Sequence, residues 1–327
     1  MKKDTIFISI ASYRDINCNA TIKSIYENAK YPENIYVGIC QQNKDTDLDS
    51  LHDISNDNIK ITRIDYKEAK GAVYARYLAS KLWDNQEYFL QIDSHTIFIK
   101  NWDVVCIQSI KNLKKISDKP IISHYPRDYP DKDISNKDMF YVTYIKYLKY
   151  IKNENYKIVQ YEGARFIDTK NTFIKTPFVT GNFLFLESKF LKEIPYDNTL
   201  DYLHHGEEIL HSLRFYTYGY DVYVPNQNII YHYYLHDEPK IWNDIPNIEL
   251  KRINVYNKLV NVFKSSSNYE ANKYLGKFNL GKKRSITSFK EYANIYNELP
   301  SDVSINMMLI IYTILLIYLF IFLYFYC

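Results

Sequence analysis

The chain has 327 residues, with 41 Lys plus Arg against 38 Asp plus Glu and a formal net charge of +3. That balance, with no basic run longer than Lys282-Lys283-Arg284, argues against nucleic acid as the main partner. The four cysteines (Cys18, Cys40, Cys106 and Cys327) form no CxxC pair, which excludes a zinc ribbon and a dense disulfide framework and points to reduced thiols.

The first segment alternates apolar strands with helical stretches. IFISI (Ile6 to Ile10) reads as a strand, and its run is too short for a signal peptide. A helix follows over Ala20 to Ala29, ending before Tyr31-Pro32. Strands are predicted at Ile35 to Cys40 and at Ile59 to Ile64, then a helix over Gly71 to Trp83 with apolar residues at Val73, Tyr77, Leu78 and Leu82. Tyr88 to Ile92 is another buried strand, and it delivers Asp93 and His95 to its carboxyl end. Alternating strands and helices predict an α/β fold with a mostly parallel sheet covered on both faces. Ligands of such sheets bind beyond the carboxyl ends of the strands.

From about Lys111 to Phe178 the pattern weakens, and Pro126 to Asp133 is a loop by composition. A long irregular stretch inside a domain is often a binding or lid segment. Order returns with a strand at Phe183 to Leu186, a helix at Glu207 to Tyr218, and short strands at Asp221 to Pro225 and Ile229 to Tyr234. One helix is expected over Ile241 to Lys264. From Met307 to Tyr326 no residue is charged, and twenty helical residues span about 30 Å, the thickness of a bilayer core. We therefore expect a soluble domain over 1–300 and a C-terminal transmembrane tail anchor over 303–327, with the domain facing the cytosol.

Three polar clusters could carry chemistry. Asp93-Ser94-His95 places a carboxylate and an imidazole two positions apart beyond a strand, an oxygen-plus-nitrogen set suited to Mn²⁺. Taken singly, it also fits a turn. Glu207 and Glu208 open a helix, where its dipole favours acidic residues in any case. His232 sits within the strand IIYHYY and taken singly fits a core histidine. The ordered set Asp-x-His, Gly-Glu-Glu, strand-His is far rarer than its parts.

That ordered set resembles glycosyltransferase family sixty, the Skp1-type hydroxyproline N-acetylglucosaminyltransferases, over roughly Thr5 to Ile295. GAVYARYLASKLW followed by YFLQIDSHTIFIKNWD is the most specific match, and VTGNFLFLESKFLKEIPYD, HHGEEILHSLRFYTYGYDVYVP and IIYHYY follow in the family's order. The Asp-Ser-His, Gly-Glu and His elements are also similar to those of polypeptide N-acetylgalactosaminyltransferases. The resemblance implies a GT-A fold, Rossmann-like and nucleotide-sugar-binding, and a retaining transferase. By the same resemblance Asp93, His95 and His232 hold Mn²⁺ or another divalent cation, and Asp93 also faces the donor. Arg76 contacts the nucleotide or its phosphates, Glu207 and Glu208 face donor sugar and acceptor, and Ser12, Arg14 and Gln41 flank the uridine. The implied reaction moves N-acetylglucosamine from UDP-GlcNAc to a hydroxyl of a protein (hydroxyproline or Ser/Thr) or a glycan. UDP-galactose, UDP-glucose and UDP-GalNAc remain alternative donors, and a non-catalytic membrane scaffold is a further alternative. The match is poor over Pro126 to Lys175, where the acceptor site is shaped, and the tail span departs from the soluble members.

Overall fold

Strands buried on both faces are mostly apolar, and β1 (Ile6–Tyr13) fits, with Ser9 and Ser12 as its small buried polar residues. Ile6, Ile8 and Ile10 pack on one side with residues of α1 (Cys18–Asn28) and α3 (Trp102–Leu113). Phe7 packs on the other with Phe89, Leu184 and Phe215. The computed structural model describes residues 3–48, 51, 56–129, 141–145, 148–152, 157–234 and 239–295. Residues 1–293 form one compact unit, and 294–327 form a second that lies almost wholly outside the described residues.

The elements follow in chain order. After β1 and α1 come β2 (Ile35–Asn43), β3 (Ile59–Asp65), α2 (Ala72–Ser80), β4 (Tyr88–Asp93), β5 (Thr96–Phe98) and α3. Next are β6 (Pro120–Ser123), β7 (Arg127–Asp128), β8 (Tyr141–Ile145), β9 (Leu148–Lys152), β10 (Lys157–Tyr161), β11 (Ala164–Asp168), β12 (Ile174–Thr176), β13 (Phe183–Glu187) and α4 (Phe190–Glu193). The described chain closes with α5 (Glu207–Thr217), β14 (Asp221–Val224), β15 (Ile230–His232), α6 (Ile241–Asp244), α7 (Ile248–Lys264), α8 (Asn268–Leu275) and α9 (Ile286–Tyr292).

Eight strands make the main sheet, in the order β12-β14-β6-β13-β4-β1-β2-β3. The half built from β4, β1, β2 and β3 is parallel, as expected. The other half is mixed, because β13 runs antiparallel between β4 and β6, and β12 antiparallel to β14. A second sheet, β5-β15-β7, stands at the carboxyl end of β4. Its register pairs His232 with Thr96, and the Tyr233 N–H donates to the His95 carbonyl at 3.2 Å. That pairing carries a distant histidine to the end of β4.

Three expectations need correction. The weak-pattern region is not irregular: its start belongs to α3, and β6 to β12 fill much of the rest, with β8 paired to β11 and β9 to β10. Trp102, Cys106, Ser109, Ile110 and Leu113 form the buried stripe of α3. The single helix over Ile241 to Lys264 is two, α6 and α7, since Pro246 disfavours helical geometry at Ile245 and Asn247 takes φ 55°. The strand at Ile229 to Tyr234 is shorter, ending at His232. Cys18, Cys40 and Cys106 are buried free thiols. No helix among the described residues is long and apolar enough to cross a membrane, and the expected anchor over 303–327 lies outside them.

Candidate active site

Above the carboxyl ends of β1, β2 and β4 lies a cavity of about 600 Å³. Its wall includes Tyr13, Gln42, Arg76, Asp93, Glu207 and Glu208. Strand alternation decides which residues reach it. Ala11, Tyr13 and Gln42 line the cavity, while their neighbours Ser12 and Gln41, paired across β1 and β2, are buried outside that lining. Arg14 is also outside the lining. Its guanidinium binds Asp47 through two bonds of 2.8 Å and Asp244 through a third of 2.8 Å. Tyr13 donates to the same Asp244 at 2.8 Å, so this corner fastens α6 to the end of β1.

Asp93, His95 and His232 offer ligand atoms that all lie within 4.8 Å of one another. His232 Nε2 is 3.2 Å from Asp93 Oδ2, and the two imidazole rings meet edge to face at 4.4 Å. Asp15, to which the sequence reading gave no role, completes the arrangement. Its Oδ2 is 2.7 Å from His95 Nδ1 and accepts the Ser94 hydroxyl at 2.5 Å, while Oδ1 accepts the Asn17 N–H at 2.8 Å. A carboxylate on Nδ1 fixes the tautomer and leaves Nε2 as the nitrogen to ligate a metal. Burial opposes the charge on Asp15, but the bonds from His95, Ser94 and Asn17 outweigh it and hold the carboxyl below its usual range. Burial also opposes the charge on Asp93. There the His232 bond and the Arg76 charge dominate and hold the group far below the ordinary value. One ionised carboxylate and two imidazoles form a donor set that fits a borderline divalent cation.

Arg76 links this cluster to the acidic pair. It projects from α2, almost fully buried, with Nη1 2.7 Å from Glu207 Oε1 and Nη2 3.3 Å from Asp93 Oδ1. Nη2 also donates to the Gly181 carbonyl at 3.1 Å, and the Gly181 N–H donates to Glu208 Oε1 at 2.7 Å. A Cβ on Gly181 would sit 3.0 Å from Arg76 Nη2 and 3.4 Å from Glu207 Oε1, so a larger residue would crowd the ion pair by a few tenths of an ångström. Burial raises Glu207, with Arg76 pulling the other way. Burial and the neighbouring Glu207 charge push Glu208 up to about 8, so it keeps its proton near neutrality. The two carboxyls therefore differ in setting: Glu207 is paired with Arg76, and Glu208 sits on the Gly181 N–H. Both residues also line the cavity.

The far wall comes from parts the sequence reading left unassigned. Tyr125 follows β6, Tyr161 ends β10, and Trp242 sits on α6 with its ring 5.4 Å from that of His204. Tyr161 is held by a 2.6 Å bond from its hydroxyl to the Val179 carbonyl. The structure thus brings Asp93, His95 and His232 together and links them through Arg76 to Glu207 and Glu208. Asp15, Gly181 and Trp242 join them, and the one sequence signal for Asp15 was its place in the loop that follows a strand end.

A family model described as Glycosyltransferase (GlcNAc) matches residues 5–54 and 48–298, most of the chain. No curated protein sequence matches. Among solved structures, a crystal structure of GalNAc-T7 with UDP, GalNAc and Mn²⁺ is similar at a TM-score of 0.57 and 14% identity, covering 89% of this chain. The chain spans 57% of the length of that GalNAc-T7 chain. The likeness is one of fold, the GT-A arrangement expected above. A crystal structure of Staphylococcus aureus TarS residues 1–349 with UDP-GlcNAc aligns at a TM-score of 0.45 and 12% identity, over 84% of this chain and 71% of that one.

Proposed function

Because the chain belongs to the GlcNAc glycosyltransferase family and is a glycosyltransferase, we propose that it moves N-acetylglucosamine from UDP-GlcNAc to a hydroxyl acceptor with the help of Mn²⁺. The observation that carries this reading is the convergence of Asp93, His95 and His232 within 4.8 Å beside the cavity that Glu207 and Glu208 line. Held by these three residues, such an ion would act as a Lewis acid and offset the charge that builds on the departing diphosphate.

The chain's own residues supply the rest. Asp93, His95 and His232 hold the ion, and Asp15 orients His95. Arg76 favours the charged form of Asp93, pairs with Glu207 and adds a fixed positive charge beside the leaving group. Glu207 accepts hydrogen bonds from the donor sugar and stabilises oxocarbenium character at its anomeric carbon. Glu208, protonated near neutrality, donates to a sugar or acceptor oxygen. Tyr13 and Gln42 flank the uridine at the ends of β1 and β2, in place of Ser12 and Gln41. We assign Arg14 to bracing α6 rather than to the nucleotide. The protein-hydroxyproline acceptor, implied by the resemblance to family sixty, and membrane attachment through 303–327, supported by the uncharged run Met307 to Tyr326, belong to the same proposal.

The test is hydrolysis of a panel of uridine diphosphate sugars by the full chain, with and without Mn²⁺. Manganese-dependent turnover that favours UDP-GlcNAc and disappears in Asp93→Ala and His232→Ala is expected. Preference for UDP-galactose, UDP-glucose or UDP-GalNAc would reassign the donor, and metal-independent turnover would remove the cation from the reading.

A further inference from the structure

Behind the acidic pair, between α2, α5 and the segment before β13, lies a second and smaller cavity of about 30 Å³. Four of its lining side chains each carry a buried polar atom with no hydrogen-bond partner among the described residues: Arg76 Nε, Glu207 Oε2, His211 Nε2 and Arg214 Nε. Other polar groups on the same wall are satisfied. The Tyr196 hydroxyl donates to Gln91 Oε1 at 2.5 Å, and Gln91 Nε2 donates to the Gly181 carbonyl at 2.5 Å. Two guanidinium donors, a carboxylate acceptor and an imidazole nitrogen therefore share one pocket. Buried polar atoms of this kind are almost always paired, with protein or with ordered water.

We propose that this cavity is a built hydration site, holding one or two ordered waters that tie Arg76 and Glu207 to His211 and Arg214. Its volume is sufficient, since a buried water needs about 10–15 Å³ of such space and two to four polar partners. The chemistry is complementary as well. Each guanidinium Nε carries a hydrogen to donate, and Glu207 Oε2 can only accept while ionised. Burial, with the charges of Arg214 and Arg76, keeps His211 neutral, so its ring can serve either role. Arg214 is anchored through Nη1 on the Pro195 carbonyl at 2.8 Å, while its Nε is buried without a partner among the described residues. Neither His211 nor Arg214 lines the larger cavity. They are positioning residues, and they act through water on the ion pair that faces the donor. That role rests on the transferase reading above, whereas the hydration itself does not.

Two apolar lining residues, Val73 and Val179, give the test, since neither lines the larger cavity. Val73→Ile adds a methyl group to the wall of the full-length chain, and Val179→Ile is the substitute if that variant does not fold. A thermal midpoint unchanged or lowered is expected, because the added group displaces water and strands the four atoms. A raised midpoint would overturn hydration, since filling a dry void stabilises. Turnover of UDP-GlcNAc then examines positioning through His211→Phe, which cannot bond the water, and His211→Gln, which can. About a tenfold loss of kcat in the first at unchanged KM, with most of it regained in the second, is expected, and any other pattern overturns the positioning role. The midpoint needs no substrate, so a chain that turned over no uridine diphosphate sugar would sink the function and still decide the hydration.

Discussion

Asp15→Asn is the most informative single change at the site. The carboxylate is bonded to His95 Nδ1 at 2.7 Å and the Ser94 hydroxyl at 2.5 Å on Oδ2, and to the Asn17 N–H at 2.8 Å on Oδ1. An amide of the same shape has one accepting oxygen. If that oxygen stays with His95 and Ser94, the new NH₂ faces the Asn17 N–H. If the amide turns, His95 loses the acceptor that fixes its tautomer. Leaving one buried donor unpaired costs about 1–3 kcal/mol of stability. Loss of a carboxylate behind a ligating imidazole typically weakens metal binding by about 10–100-fold, equivalent to about 1.4–2.7 kcal/mol. Titration calorimetry of the full chain with Mn²⁺ and UDP measures the affinity, and thermal unfolding without metal measures the stability. The expected result is a fall in both. A lower midpoint with unchanged manganese affinity would make Asp15 a structural acceptor only and refute its role in presenting His95.

Three further outcomes follow from the same geometry. Arg76→Met should destabilise the chain by about 3–5 kcal/mol, because Asp93 and Glu207 keep their burial and lose their cation. Adding Glu207→Gln should return part of that loss in urea unfolding, and no recovery would mean that the ion pair is not what Arg76 stabilises. Glu208 has a folded pKa of about 8 against an ordinary 4.5, so the folded chain binds its proton more tightly than the unfolded chain. Its stabilising contribution is complete below about pH 4.5 and is lost as pH rises through about 8. Glu208→Gln should flatten the fall in thermal midpoint over that window, and a curve parallel to the parent would disprove the raised value. Gly38→Ala places a Cβ 2.3 Å from the Phe7 ring and 3.1 Å from the Ala79 carbonyl, so a cost of about 1–3 kcal/mol is expected in denaturant unfolding.

Much of the site was legible because it is encoded locally. An apolar run that ends in Asp93-Ser94-His95 places both groups at a strand's carboxyl end whatever surrounds it, and Gly206 before Glu207 and Glu208 marks a helix start. Other assignments turn on a single residue. Ser12 and Gln41 sit beside Tyr13 and Gln42, but a strand turns alternate side chains to opposite faces, and only register tells which face meets the cavity. The hairpin strands β8 to β11 went unread because short two-stranded pairs lack the buried apolar runs that reveal a central strand.

The sequence by itself determined the alternation of strands and helices, the apolar core of β1 and β4, and the residue types suited to a divalent cation. Those follow from periodicity and side-chain chemistry, which act over a few residues. Only the tertiary structure decided that His232 pairs with Thr96, 136 positions away, and so comes to Asp93 and His95. It likewise decided that Asp15 backs His95, that Asp47 and Asp244 take up Arg14, and that Arg76 meets Glu207 across 131 residues. Such contacts depend on which strands neighbour one another and in what register, and no local pattern carries that information.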